Sequence, residues 1–414
     1  MKGYTVLLDS AHKQCELNTV SSSMIYRYLL ENGHTITTNA QAADFIIINS
    51  CGYHQDLREK SLALYETYHA IKKPNSRIIM YGCLVNIDNE KVKSLDLLPI
   101  SFTDHHRLDD IFFQTKKYEK MTPCCDSETR NILIQGSKDL NIIHHPNFIL
   151  SRFFLPFSGT MKTNYSRMIR GLTHHNKIIV QISQGCLGHC SYCAIKKAKG
   201  NLKSRSIDEI LNDIAEMYDD KKIVYLVADD CSSYGYDIGT DFFQLLETIH
   251  QRFPKLLIQI SYVSPNFLVK FYEKYQELFH HVFIPYTTIP FQSGSNKIIK
   301  RMDRLYDTRE VVEVIQKLKQ VSPQTYFEGH FIIGFPGETI GDFLQSLFTL
   351  HYFDYPIALR YSEAKGTKSA SFPQKKSEMT KQLRYTIMTF FINIIIFSKL
   401  VKSIKSDKDG PGEI

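Results

Sequence analysis

No stretch of the 414 residues stays apolar over the roughly 17 to 20 positions that a bilayer-spanning helix needs. The strongest apolar run, residues 385–397 (YTIMTFFINIIIF), is interrupted by Thr389 and Asn393. It predicts a helix packed against the protein, with no stable membrane insertion. The opening MKGYTVLLDS carries no signal-peptide core, which predicts a cytoplasmic protein. Heptads, collagen periods and repeats of roughly 20 to 50 residues are missing as well, which excludes fibrous and solenoid architectures. Charge of one sign is in short supply: 50 Lys and Arg against 43 Asp and Glu leave +7, which permits an anionic partner without requiring one. No acid-base dyad or nucleophilic triad is legible, so no side chain is assigned a catalytic role.

What is present fits an α/β protein of two or three domains, since 43% hydrophobic and 22% charged residues are globular values. In the N-terminal part, residues 4–8, 45–48 and 77–81 are nearly continuous apolar runs of strand length, separated by amphipathic stretches at 22–32 and 57–72. Runs of that kind belong to parallel strands covered on both faces, and the alternation predicts a doubly wound sheet. Residues 121–176 lose the pattern, with Pro123, Pro146 and Pro156 and the histidine pairs His144-His145 and His174-His175, and read as a connector. Strand-length runs then resume at 178–183, 223–228, 257–263, 282–289, 326–333 and 357–361, with helical patterns such as 207–218 and 308–319 between them. Six such units predict a partial β/α barrel over 177–370. Residues 371–414 are expected to hold a helix and a disordered lysine-rich tail.

Nine cysteines in a chain without secretory features point to metal or redox chemistry rather than disulfides. Cys186, Cys190 and Cys193 lie in one loop, CLGHCSYC, just after a predicted strand. Three thiolates can hold three irons of a four-iron, four-sulfur cluster. The fourth iron is then open to chelate S-adenosylmethionine, whose sulfonium one electron can cleave to a 5'-deoxyadenosyl radical. A zinc site is the alternative, but it wants four ligands, and His189 sits inside the gap between two of the thiols. A second set needs the fold to be seen. Cys15, Cys51 and Cys83 each follow a predicted parallel strand, which places all three at the carboxyl edge where such sheets bind ligands. They could ligate a second cluster, or be ordinary buried cysteines. Cys124, Cys125 and Cys231 take the bland reading: the first two sit in the connector, and the third lines a pocket or merely packs.

The two cysteine sets together resemble the radical S-adenosylmethionine methylthiotransferase family. Supporting segments are SQGCLGHCSYCAIKKAKGNLKS from Ser183, DDCSSYGYDIGT from Asp229, IPFQSGSNKIIKRMDRLY from Ile289, HFIIGFPGET from His330 and YSEAKGT from Tyr361. The trailing KxAxGxLxS and the YGxDIGT segment are most similar to the branch acting on N6-threonylcarbamoyladenosine beside the tRNA anticodon. The resemblance implies an N-terminal methylthiotransferase domain over 1–120 and a radical S-adenosylmethionine barrel over 177–370. It also implies two 4Fe-4S clusters, one on Cys186, Cys190 and Cys193 and one on Cys15, Cys51 and Cys83. S-adenosylmethionine would be bound beside Tyr192 and shaped by Gly334, Pro336, Gly337 and Glu338. The partners implied are a tRNA substrate and an electron donor such as flavodoxin or ferredoxin. The bare sequence reading of Gly334 to Gly337 is a strand-ending turn, and the Gln292–Ser295 loop is a polar strand end that reaches substrate or simply turns.

The chain departs from the family in one respect. Only 47 residues follow Thr367, too few for the all-β nucleic-acid-binding domain with which tRNA-modifying members usually end. Lys196, Lys197, Lys199, Lys203 and Arg205 form a basic run that is expected either to replace some phosphate contacts or to be a solvated helix start. Methylthiolation of a ribosomal protein or a ribosomally made peptide is the second expectation, and a non-catalytic iron-sulfur redox scaffold the third.

Overall fold

The computed structural model describes residues 3–13, 15–135, 177–218, 223–282 and 284–406. The histidine pairs at 144–145 and 174–175 and most of the connector lie outside the described residues, as does the end of the lysine-rich tail.

The N-terminal sheet is all parallel, in the spatial order Thr35–Ile36, Thr5–Ser10, Phe45–Ser50, Arg77–Gly82, Leu98–Ile100. The first crossover helix, Glu16–Glu31, begins six residues before the amphipathic pattern at 22–32. Its first half is polar, yet Asn18, Thr19 and Ser21 to Ser23 are buried. The side chain of Asn49 explains why, since its amide donates to Asn18 O at 3.0 Å, Ser21 Oγ at 2.9 Å and Ser22 Oγ at 2.8 Å. A polar seam replaces the apolar stripe that marks most helices facing a sheet.

The second sheet carries six parallel strands in chain order, Lys177–Gln181, Ile223–Val227, Leu257–Ile260, Tyr286–Gln292, Tyr326–Ile333 and Tyr355–Arg360. Consecutive strands are parallel neighbours, as a β/α barrel requires. Cys124–Cys125 adds a short antiparallel strand against Ile179 and Val180 at the edge. These adjacent cysteines therefore belong to the barrel sheet and are buried in its packing. Helix Glu378–Ser406 buries Met388, Ile392 and Ile396, four residues apart, in the barrel core and leaves Phe390, Phe391, Ile394 and Phe397 outside. Among the described residues no helix is long and apolar enough to cross a membrane.

The two sheets are held to one another. Leu17 and Val20 of the first crossover helix share an apolar cluster with Cys125, Ile179, Tyr225 and Val227 of the barrel. On the opposite side Arg58 Nη2 donates to Ser362 Oγ and Glu363 O, both at 2.7 Å, and Arg360 pairs with Asp56 at 2.7 Å. The carboxyl edge of the first sheet thus faces the mouth of the barrel.

Candidate functional site

The cysteines of the first sheet occupy equivalent places. Cys15 is the N-cap of helix Glu16–Glu31, Cys51 follows strand Phe45–Ser50, and Cys83 opens a short helix directly after strand Arg77–Gly82. Gly82 has φ +107°, and a Cβ there would lie 2.9 Å from Ser50 O. Only glycine lets the chain turn back this tightly at the strand end. Cys186, Cys190 and Cys193 lie between the short strand Ser183–Gln184 and helix Ile195–Lys199. All six thiols line one cavity of about 1300 Å³ between the sheet edge and the barrel mouth.

Burial dominates the electrostatics of five of these thiols. It pushes Cys15 up to about 11 and Cys186 and Cys193 up to about 12, and raises Cys51 and Cys83 too. Each set adds its own repulsion: Cys83 and Cys15 act on Cys51, and Cys190 acts on Cys193. Thiols so placed need a cationic centre to ionise, and an iron-sulfur core supplies one. The donor set fits such a core. Gly188 donates its N–H to Cys186 Sγ at 3.1 Å, and a Cβ on it would sit 3.2 Å from that sulfur and 3.9 Å from Cys190 Sγ. Zinc fits less well. His189, the fourth ligand such a site would need, is exposed, with Nδ1 3.4 Å from Lys196 Nζ.

Of the residues expected around S-adenosylmethionine, Tyr192 lines the cavity. Its hydroxyl accepts from Arg304 Nη1 at 3.0 Å, and the same nitrogen is 3.7 Å from Cys190 Sγ. Gly334, Pro336, Gly337 and Glu338 do not line it. Their turn, with φ +75° at Gly334 and +86° at Gly337, folds back beneath the C-terminal helix. There a Cβ on Gly334 would meet Lys381 Cγ at 2.6 Å, and the fully buried Glu338 carboxylate pairs with Arg384. The turn seats a helix. Cys231 is likewise outside the cavity, packed with its Sγ 3.6 Å from Ser261 Oγ.

Part of the basic run is spent inside the protein. Lys199 pairs with Asp229 at 2.7 Å, Arg205 pairs with Asp213 at 2.5 Å, and Lys197 donates to Ile87 O at 3.0 Å. Lys197 and Lys203 stay exposed and Lys196 half-buried, so the run is divided between internal ion pairs and surface charge. The cavity also carries aromatic side chains that the sequence did not single out. Tyr53 and Tyr236 are 52% and 53% exposed, and Tyr53 stands within electrostatic reach of Cys15, Cys51, Cys193 and Arg304. Deeper in the barrel, His330 Nε2 is 2.7 Å from Glu328 Oε1, and the Tyr286 hydroxyl donates to the same carboxylate. Tyr262 and Gln292 line the cavity with φ of +36° and +67°. Non-glycine residues in that region store strain of the kind that collects at functional sites. No periodicity reveals these positions, because each needs the closed barrel to converge.

Comparison with known proteins places two family matches on the chain: the Radical SAM superfamily over residues 180–350 and the Uncharacterized protein family UPF0004 over residues 12–99. The ribosomal protein uS12 methylthiotransferase RimO of Chlamydia felis is 26% identical over 388 residues, covering 91% of this chain and 76% of its own. A tRNA-2-methylthio-N(6)-dimethylallyladenosine synthase of Methylacidiphilum infernorum is 26% identical, with 89% and 75% covered. A probable threonylcarbamoyladenosine tRNA methylthiotransferase of Methanocaldococcus jannaschii is also 26% identical, with 89% and 78% covered. Among solved structures, the apo form of the cobalamin-dependent S-adenosylmethionine radical enzyme OxsB matches with a TM-score of 0.50 at 13% identity, over 86% of this chain and 53% of that one, a likeness of fold alone. With a UPF0004 domain followed by a radical SAM domain, and similarity running through most of each methylthiotransferase, the chain belongs to the radical S-adenosylmethionine methylthiotransferase family, enzymes whose cofactors are two 4Fe-4S clusters and S-adenosylmethionine.

Proposed function

We propose that this enzyme inserts a methylthio group at an unactivated C–H position of a tRNA adenosine, N6-threonylcarbamoyladenosine next to the anticodon. In this reading Cys186, Cys190 and Cys193 hold the barrel cluster, and Cys15, Cys51 and Cys83 hold the second. The single observation that carries the reading is the shared cavity: thiols from two separate domains line one chamber. When bound, the clusters and S-adenosylmethionine supply the one-electron chemistry and the sulfur. The chain's own residues position and shield. Arg304 fixes the Tyr192 ring beside Cys190, and Tyr192 packs edge-on against Phe335 at 6.3 Å, so the loop's last thiols rest on a rigid aromatic floor. Asp230 accepts from Ser233 Oγ at 2.6 Å and stands 3.8 Å from Cys186 Sγ, which ties the loop to the second barrel strand. Tyr53 and Tyr236 offer exposed rings at the cavity, suited to stacking an unpaired base.

The RimO relatives favour a second reading, the same chemistry on a ribosomal protein side chain. Mass spectrometry of tRNA nucleosides from cells with and without the protein separates the two. Loss of the methylthio form of threonylcarbamoyladenosine is expected. An unchanged nucleoside profile together with a lost mass increment on a ribosomal protein sinks the tRNA assignment.

A further inference from the structure

Lys199 and Asp229 form a buried ion pair at the seam between the two cysteine sets. The ammonium is 2.7 Å from Asp229 Oδ1, and the two side chains are 7% and 4% exposed. Lys199 closes the helix that follows the Cys186 loop, and its ammonium lies 5.3 Å over the ring of Phe102 from the other domain. The second carboxylate oxygen of Asp229 accepts the N–H of Gly185, the residue before Cys186, at 2.9 Å. Only glycine fits at 185, since φ is +80° and a Cβ would stand 2.3 Å from Asn201 O. The pair is therefore fixed at both ends, and both members line the cavity.

Its orientation is unequal. The ammonium lies over Phe102, just past the last strand of the N-terminal sheet, while the carboxylate is hydrogen-bonded to the backbone beside Cys186 of the barrel loop. A fixed charge acts strongly in a buried site, where little water screens it. A cation stabilises the more negative, reduced state of a neighbouring centre and raises its reduction potential, and an anion lowers it.

We propose that the Lys199–Asp229 pair is a positioning element that holds the two cluster sites in register and sets their reduction potentials apart, the ammonium raising the centre on Cys15, Cys51 and Cys83 and the carboxylate lowering the centre on Cys186, Cys190 and Cys193. The inference rests on the ligand assignment under Proposed function. A pair with a purely structural role would hold the loops together without moving a potential, which gives the test its discrimination.

The experiment is a potentiometric titration followed by electron paramagnetic resonance on anaerobically reconstituted full-length protein, with Cys186→Ala and Cys51→Ala parents to assign the two signals. Lys199→Gln keeps a donor toward Asp229 and removes the charge. The midpoint of the second centre is expected to move negative, by more than that of the barrel centre, and Lys199→Arg is expected to restore it. Asp229→Asn is expected to move the barrel midpoint positive, and it keeps the proposal testable if Lys199→Gln does not assemble. Unshifted midpoints in variants that hold both clusters overturn the role of the pair alone. Wild-type protein with only one iron-sulfur centre overturns the ligand assignment and the inference with it.

Discussion

Arg384, on the C-terminal helix, is ion-paired with Glu338, whose side chain is fully buried in the turn after strand Tyr326–Ile333. The same carboxylate accepts the N–H of Gly334 at 2.9 Å, and Arg384 also donates to the Glu338 carbonyl at 3.3 Å. The helix is thereby keyed into the barrel by charge as well as by Met388, Ile392 and Ile396. Removing one member of a buried pair strands the other, at about 3–5 kcal/mol. Arg384→Met is expected to lose about that much in urea unfolding. A loss below about 1 kcal/mol would mean the helix docks by its apolar face alone.

Asp342 supplies a pH dependence. Burial works against its ionisation, but hydrogen bonds from Lys297, Thr339 and Ser295 outweigh it and hold the carboxyl well below the usual carboxylate range. A group depressed in the folded state contributes stability that is complete above its unfolded value, near pH ~4, and is lost as the pH falls through that value toward the folded one. Asp342→Asn is expected to cost about 1.5–3 kcal/mol near neutrality. The gap between variant and wild type should begin to narrow below about pH 5 and keep narrowing as the pH falls past the unfolded value toward the folded one. A gap independent of pH would show that the carboxylate charge does not matter there.

For the cysteines, Cys186→Ala is expected to abolish 5'-deoxyadenosine formation and to lower iron from about eight to about four per chain. Cys51→Ala should lower iron equally, keep part of the 5'-deoxyadenosine formation and stop sulfur transfer. Equal loss of both activities in a folded Cys51 variant contradicts the division of labour.

Gly185→Ala places a methyl group 2.3 Å from Asn201 O at a positive φ. The expected cost is more than about 1 kcal/mol, with lowered iron in the barrel cluster, read by thermal unfolding and iron analysis. Full iron occupancy at wild-type stability would show that the Cys186 loop tolerates a different path.

If the substrate is a nucleobase, Tyr236→Ala should weaken its binding by about 1–3 kcal/mol while leaving cleavage of S-adenosylmethionine without substrate unaffected. The readout is KM for an anticodon stem-loop. An unchanged KM removes this ring from substrate recognition.

Much of the architecture was legible because buried parallel strands leave unbroken apolar runs, as at Phe45–Ser50 and Tyr326–Ile333. Helix Glu16–Glu31 was legible only in its second half, since the amide of Asn49 makes a polar face acceptable in the core. The antiparallel Cys124–Cys125 strand is too short to show a period at all. In the site, the spacing of Cys186, Cys190 and Cys193 was readable directly, whereas the partners of Lys199 and Arg205 were not. A lysine's neighbours along the chain say nothing of the carboxylate it meets across a fold, here Asp229, 30 residues away.

By itself, then, the sequence determined the two α/β layers, most of their strands and which thiols stand at strand ends, because hydrophobic pattern and local spacing act over a few residues. Only the tertiary structure decided that both cysteine sets open on one cavity, that the Gly334 turn carries the C-terminal helix instead of lining that cavity, and that Lys199 of the basic run turns inward to Asp229. Those outcomes depend on which charges and surfaces meet when two sheets close on each other, and no local pattern encodes that meeting.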